Sequence, residues 1–503
     1  MRRRALLAGL SGALLAFAMP GPNLAPLAAV ALGPLLCALH GQSPKTSFRI
    51  GLIGGTAFFG ILLHWLYTLW DFASIGIVPA YLVLVGYLAL YWGLFGWGYA
   101  WLSRRLGPWA LALAAASLWT VLEWIRAQGP FGFPWGQAAD ALYQMPAAIQ
   151  VSSIAGIWGV TFLLVLVNAL LAEGWARRHW PEPVVALVVV GLTLGGGWLT
   201  LAQSGPSSEG MDVRIVQPSI PQSVRSDASR LAEFRSIYRD LMSQIEASES
   251  ELTILPESIL PTYVLDDADV RAELTDWAQE HDQTLLFGTY TRAEGATHNS
   301  SVAVSSNGTV ADTYHKNHLV PFSTEYFPGK PLLRQLGVFN LIPVGNRLGL
   351  IDPGQRHGSL RTDIGRIATP ICFESIFPRI GRAFVQNGAD LIVIITNDAW
   401  FKASSALPQH FSKAVFRAVE TRRDVVQAAN SGISGIVDAQ GRIQARSGIN
   451  ERTVLGGTVR SHDRETRYVR WGDWLIGLNA FYLGLIPLWL SLSSRFSRRL
   501  RPD

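Results

Sequence analysis

Apolar residues along this chain fall into two regimes. Long unbroken runs occupy 5–20, 23–40, 50–70, 77–102, 109–126, 151–172 and 183–203, and one more lies at 474–492. A helix that crosses a bilayer needs about 20 mostly apolar residues, so the pattern predicts eight spans. The first run is short, and its basic start and Ala16-Phe17-Ala18 end also resemble a cleavable signal peptide. The spans that follow at once favour a retained helix. Between 206 and 470 the runs shrink to β-type bursts: Val213–Val216, Thr253–Leu255, Thr284–Thr289, Ser301–Ser305, Ile367–Ile371, Leu391–Thr396, Val425–Ala428 and Gly435–Asp438. Helical periodicity fills 227–248, 266–281, 378–388 and 408–423. Apolar strands alternating with amphipathic helices predict an α/β layer fold with a buried sheet. The expected organisation is a helical membrane bundle at 1–205, a polar domain at 206–470, and a last span with a basic tail at 471–503, with a linker at 204–211.

Charge sets the orientation. The 503 residues carry a formal net charge of +5, yet only 16% are charged and 49% are hydrophobic. The basic residues gather beside the apolar runs. With a cytoplasmic N-terminus, Lys45, Arg49, Arg104, Arg105, Arg177 and Arg178 fall in cytoplasmic loops, and Arg495, Arg498, Arg499 and Arg501 in a cytoplasmic tail. The opposite loops around 21–22, 71–76 and 127–150 hold no Lys or Arg. That asymmetry fits eight spans with both ends inside and residues 206–470 on the far side, the periplasm of a Gram-negative cell. It also accounts for the positive charge without nucleic acid. Glu123 and Arg126, at i and i+3, can neutralise each other on one helix face. The aromatic loop 129–135 reads either as an interfacial belt or as a lipid contact.

Candidate chemistry lies in the polar block. Two cysteines make no disulfide framework; Cys37 sits in an apolar run, so Cys372 is expected to be a free thiol. Glu257 and Cys372 each follow a strand-like run, where α/β sheets gather reactive groups, and Lys316 follows 310–314. A thiol attacking a carbonyl needs a base, a stabiliser for the oxyanion and a proton donor for the leaving group. Glu257 can take and return the proton and Lys316 can steady the oxyanion. A structural Glu257–Lys316 ion pair beside an inert thiol is the plain alternative. His298, His315, His318 and His410 also stand open as bases from spacing alone, with His410 better read as a packing or hydrogen-bonding residue. No His-Glu-x-x-His or Cys-x-x-Cys occurs, so no metal is expected.

These three runs, Leu255-Pro256-Glu257-Ser258, Lys316 before His318-Leu319-Val320-Pro321-Phe322, and Ile371-Cys372-Phe373-Glu374, resemble the nitrilase, or carbon–nitrogen hydrolase, superfamily. The resemblance implies an αββα sandwich with Glu257 as base, Lys316 as oxyanion stabiliser and Cys372 as nucleophile. Ile220-Pro221-Gln222, Thr396-Asn397-Asp398-Ala399-Trp400-Phe401, Arg417-Ala418-Val419-Glu420-Thr421-Arg422 and the membrane layout narrow it to a likeness to the apolipoprotein N-acyltransferases. That likeness implies transfer of an acyl chain from a phospholipid, through a thioester on Cys372, to the α-amino group of a diacylglyceryl-cysteine lipoprotein, by a ping-pong scheme. It also implies support from Glu325, Phe373 and Glu374, and Trp400 near the acyl entrance. Expected partners are phospholipid, apolipoprotein and membrane lipid, for a monomer without a cofactor. Departures are Phe373 for a common Tyr, Leu255 for Trp, Ser226 where Trp often follows Ile-Pro-Gln, Lys402 for Gly, and an extra residue in Pro321-Phe322-Ser323-Thr324-Glu325. A membrane-tethered amidase that passes its acyl group to water, and a non-catalytic lipid- or lipoprotein-binding protein, are the competing readings.

Overall fold

The computed structural model describes residues 1–203, 210–247, 249–337, 348–355, 358–462 and 464–499. Most of the expected linker, and Arg501, lie outside the described residues. The chain forms two compact units. One comprises Met1–His64, Ala80–Thr200 and Trp471 to the C-terminus, and the other Trp65–Pro79 and Leu201–Arg470.

The first unit is helical. Four helical stretches among the described residues are long and apolar enough to cross a membrane: His64–Ser103, Pro108–Arg126, Ile157–Arg177 and Pro181–Gln203. Ala25–Leu39 and Trp474–Leu490 are apolar but shorter. The run expected as one span at 23–40 is broken into a 3-10 turn, Ala25–Ala29, and a helix, Gly33–Leu39. Pro26 and Pro34 remove backbone donors there. Asn168, fully buried, compensates: its amide donates to the Ala28 carbonyl and accepts from the Leu32 N–H, both at 2.9 Å. Irregular backbone in an apolar bundle persists only where such partners exist. Glycines set helix spacing. A Cβ on Gly12 would meet the Gly54 carbonyl oxygen at 2.3 Å, and one on Gly51 the Trp92 oxygen at 2.1 Å, a close backbone approach that only small residues permit. Glu123 and Arg126 do pair, at 4.0 Å. They also fasten the loop that follows: Arg126 donates to the carbonyls of Phe133, Trp135 and Gly136, and Glu123 accepts from the Ala138 N–H.

The second unit holds two six-stranded sheets. Its strands are β1 (Gly210–Gln217), β2 (Leu252–Ile254), β3 (Thr284–Ala293), β4 (Ala296–Val304), β5 (Val310–His315), β6 (Leu360–Thr362), β7 (Gly365–Ala368), β8 (Leu391–Thr396), β9 (Val425–Ala429), β10 (Gly435–Val437), β11 (Ile443–Arg446) and β12 (Thr453–Arg460). The sheet orders are β12-β1-β2-β3-β4-β5 and β11-β10-β9-β8-β7-β6. Helices Leu231–Met242 and Ala268–His281 bury Phe234, Leu241, Val270 and Leu274 in one core with residues of β1, β3 and β4. Pro378–Gln386 and Ala406–Thr421 serve the second sheet. Side chains join the sheets: Ser301 to Thr369 at 2.6 Å and Gln217 to Ser434 at 2.6 Å. All eight expected strands are present. The Ile367–Ile371 run ends as a strand at Ala368, with Ile371 held by an isolated bridge to Ile395. β5, β6, β11 and β12 were not expected.

Candidate active site

β2 runs parallel to β1 and β3, and β8 runs parallel to β7 and β9. The chain beyond the ends of β2, β7 and β8 delivers Glu257, Cys372 and Asn397 to one place, while the turn after β5 brings Lys316. Glu257 is nearly buried and Lys316 is fully so. Their charged groups stand 3.7 Å apart, and the ammonium donates to Glu325 at 2.6 Å. Lys316 is thus an ammonium between two carboxylates. Burial works against its charge, but Glu325 and Glu257 outweigh that and hold it above the usual lysine range. Glu257 is oriented on both oxygens, accepting from the Asn299 amide at 2.6 Å and the Asn397 N–H at 2.7 Å. Arg225 donates to the carbonyls of Glu257 and Ser258. Gly288 is needed because a Cβ there would meet Glu257 Cα at 2.6 Å.

Cys372 opens a 3-10 turn, Cys372–Ile376, with φ of +51°. A non-glycine residue in that left-handed region at a strand-to-turn junction is the geometry of a nucleophile elbow. Both cysteines are free. The Cys372 thiol senses Glu257, Lys316 and the Thr396 side chain. Burial first, then Glu257, push it well above the usual thiol range, against the pull of Lys316. It therefore rests protonated, and attack requires a base.

The supporting residues sort by contact. Glu325 accepts from Lys316, from Asn299 and from the Val320 N–H. In its loop, Phe322 is exposed, with φ of +58°. Glu374 is fully buried and faces backbone. One oxygen accepts from Tyr314 and from the N–H groups of Asn317 and His318, and the other from the Ile371 N–H. It ties the Lys316 turn to the Cys372 elbow. Phe373 stacks on His318 with ring centroids 5.9 Å apart. Trp400 sits in the turn Asp398–Phe401 and meets Phe72 edge-on, at 5.4 Å. Lys402 takes φ of +48° and ψ of −154°, a backbone state that glycine tolerates far better. Of the histidines, His298 stacks on His315, His315 meets Ser300, and His410 reaches the backbone carbonyl of Cys372. Asn299 and Arg225 escaped the sequence reading, and Asn397 entered it only inside the run 396–401, without a role. Asn299 and Asn397 look like ordinary polar residues until the two sheets bring them to the same carboxylate.

Residues 11–170 match the apolipoprotein N-acyltransferase N-terminal domain, and residues 212–468 match the carbon–nitrogen hydrolase family. A Geobacter metallireducens protein named apolipoprotein N-acyltransferase is 35% identical across 94% of this chain and 92% of its own length. The chain belongs to the apolipoprotein N-acyltransferase family. Two further relatives with that name, from Gloeobacter violaceus and Thermotoga maritima, are 32% and 31% identical over 96% and 98% of this chain, and 95% and 93% of their own. As a member of that family the chain is an acyltransferase with a carbon–nitrogen hydrolase domain.

Proposed function

We propose that this protein moves an acyl chain from a membrane phospholipid to the α-amino group of a diacylglyceryl-cysteine lipoprotein. The observation that carries the reading is the buried ammonium of Lys316 between Glu257 and Glu325, beside a protonated thiol. Glu257 takes the proton of Cys372 as sulfur attacks the phospholipid ester, and Lys316 stabilises the tetrahedral oxyanion. The C–O bond breaks, Glu257 returns the proton to the lysophospholipid oxygen, and the acyl group remains as a thioester. The lipoprotein amine then attacks, Glu257 accepts its proton, and the thiolate leaves and is reprotonated. Phe373 and Trp400 border the acyl path in this scheme. The names of the relatives and the apolar helices support a bacterial inner-membrane enzyme. In this reading the chain has eight spans with both ends cytoplasmic, a periplasmic catalytic domain at 206–470 flanked by 1–205 and 471–503, and a monomeric state.

Intact-protein mass spectrometry tests it. Wild type and Cys372→Ala are incubated with phospholipid, then with a diacylglyceryl-cysteine peptide. A hydroxylamine-labile acyl mass on wild type alone, lost as N-acylated peptide appears, supports transfer. An adduct that decays to free fatty acid whether or not peptide is present identifies a hydrolase. Absence of any adduct or acylated peptide, under conditions where a relative works, removes the reading.

A further inference from the structure

His410, on helix Ala406–Thr421, is buried directly behind the nucleophile. Its Nδ1 lies 2.9 Å from Asp398 Oδ1. Its Nε2 lies 2.9 Å from Ser375 Oγ and 3.2 Å from the Cys372 carbonyl oxygen. Ser375 Oγ donates to that same carbonyl at 2.7 Å. The contacts favour one state of the ring. An ionised carboxylate only accepts, so Nδ1 carries a proton. A carbonyl only accepts, and with the Ser375 proton directed at it, an Nε2 proton satisfies the contacts to both Ser375 Oγ and the Cys372 carbonyl. The arrangement suits a ring protonated on both nitrogens, an imidazolium. Burial opposes that state, and Asp398 outweighs the opposition, holding the group above the usual histidine range. Asp398 is itself fixed: Thr396 Oγ1 donates to it at 2.9 Å, and Gly432 leaves room that a Cβ would close, at 2.5 Å from Oδ2.

We propose that Asp398 and His410 form a positioning dyad: the imidazolium grips the Cys372 carbonyl and keeps the nucleophile in its left-handed elbow, thiol toward Glu257 and Lys316. The dyad touches the nucleophile through its backbone carbonyl, and the Asp398 charge also bears on the thiol, raising it. The inference rests on Cys372 being the nucleophile. Misplacing a reacting atom by about 1 Å can cost on the order of a hundredfold in rate, and a grip on the elbow guards against displacement of that size.

The experiment uses the full chain in lipid nanodiscs. It reads single-turnover thioester formation, KM for phospholipid and thermal midpoint for His410→Leu, His410→Gln, Asp398→Asn and the His410→Leu/Asp398→Asn double variant. His410→Leu removes the donor. Asp398→Asn still accepts from Nδ1 but withdraws the charge that supports the second proton, so a lone pair faces the carbonyl. Both should slow thioester formation about a hundredfold with KM unchanged. His410→Gln, whose amide can donate from near the Nε2 position, should recover about tenfold over His410→Leu. The double variant should be no slower than either single, because both changes disable one unit. A His410→Leu rate within about threefold of wild type, glutamine no better than leucine, or additive losses would each overturn the dyad. If His410→Leu does not fold, Asp398→Asn and His410→Gln decide: Asp398→Asn at the wild-type rate, or His410→Gln no faster than Asp398→Asn, overturns it. Cys372→Ala is the control for the underlying reading. If it still transfers acyl groups, the nucleophile assignment fails and not merely the dyad.

Discussion

Lys316 keeps its charge without touching water because two carboxylates surround it. Glu257 acts in the other direction on the thiol, raising it. These opposed influences separate a base from a mere ion-pair partner. Glu257→Gln deletes a charge that disfavours the thiolate, so the pH midpoint of iodoacetamide alkylation at Cys372 should fall. Acyl transfer should fall as well, by on the order of 10²–10⁴-fold, because the proton acceptor is gone. A midpoint that stays or rises would remove Glu257 from the thiol's surroundings. Glu257 and Cys372 were legible because each follows a strand-like run and carries a reactive group, and Lys316 because it opens one of the three runs that carry the resemblance. Asn299 and Arg225 were not. Asn299 sits among polar neighbours on β4 that look solvated in one dimension and are buried in three, and the bond from Arg225 to the Glu257 carbonyl spans loops that no periodicity connects.

At the scale of elements, Glu374 is the joint between the turn after β5 and the elbow after β7. Glu374→Ala leaves the buried Ile371 N–H and Tyr314 hydroxyl, and the part-buried N–H groups of Asn317 and His318, without the acceptor Glu374 supplies. Each such loss costs about 1–3 kcal/mol, so unfolding free energy should drop by about 3 kcal/mol or more, with activity lost in step. Chemical denaturation beside the thioester assay checks this; an inactive variant with wild-type stability would give Glu374 a chemical role instead. The strands the sequence revealed are largely buried ones, such as β8, whose Leu391–Thr396 bounds matched throughout because an unbroken apolar run ends abruptly there. β11 and β12 are half-exposed, and β12 contains two glycines, so their runs are diluted. The broken span at 25–39 was hidden for another reason: Ala, Leu and Pro read as apolar whether or not the helix is continuous.

At the scale of the molecule, Trp65–Pro79 stands out. Flanked by apolar runs, it belongs to the unit of the two sheets. Trp65 donates to Gln409 at 3.0 Å and packs on Phe401, and Asp71 pairs with Lys402 at 2.6 Å. Burial decides which contact matters. Trp65 is 4% exposed, and Trp65→Ala should weaken the docking of this segment by about 3–5 kcal/mol. The Asp71–Lys402 pair is solvent-facing, so Asp71→Asn should change it by no more than about 1 kcal/mol. Limited proteolysis within 65–79 distinguishes them: faster cleavage for Trp65→Ala, wild-type cleavage for Asp71→Asn, and the reverse order would show that the ion pair holds the segment.

Asn168 also imposes an order on biogenesis. Its partners at Ala28 and Leu32 lie 140 and 136 residues earlier in the chain. Until the ribosome has made Ile157–Arg177, the Ala28 carbonyl and the Leu32 N–H lack the partner that Asn168 supplies, although Ser11 already donates to the Ala31 carbonyl; inside lipid an orphaned group costs several kcal/mol. On the eight-span reading, the segment waits at the translocon or the bilayer surface while the intervening helices are synthesised. Asn168→Leu should extend that wait indefinitely, seen as protease-sensitive chains with residues 25–39 still reachable from the aqueous side, although no residue of the candidate active site has changed.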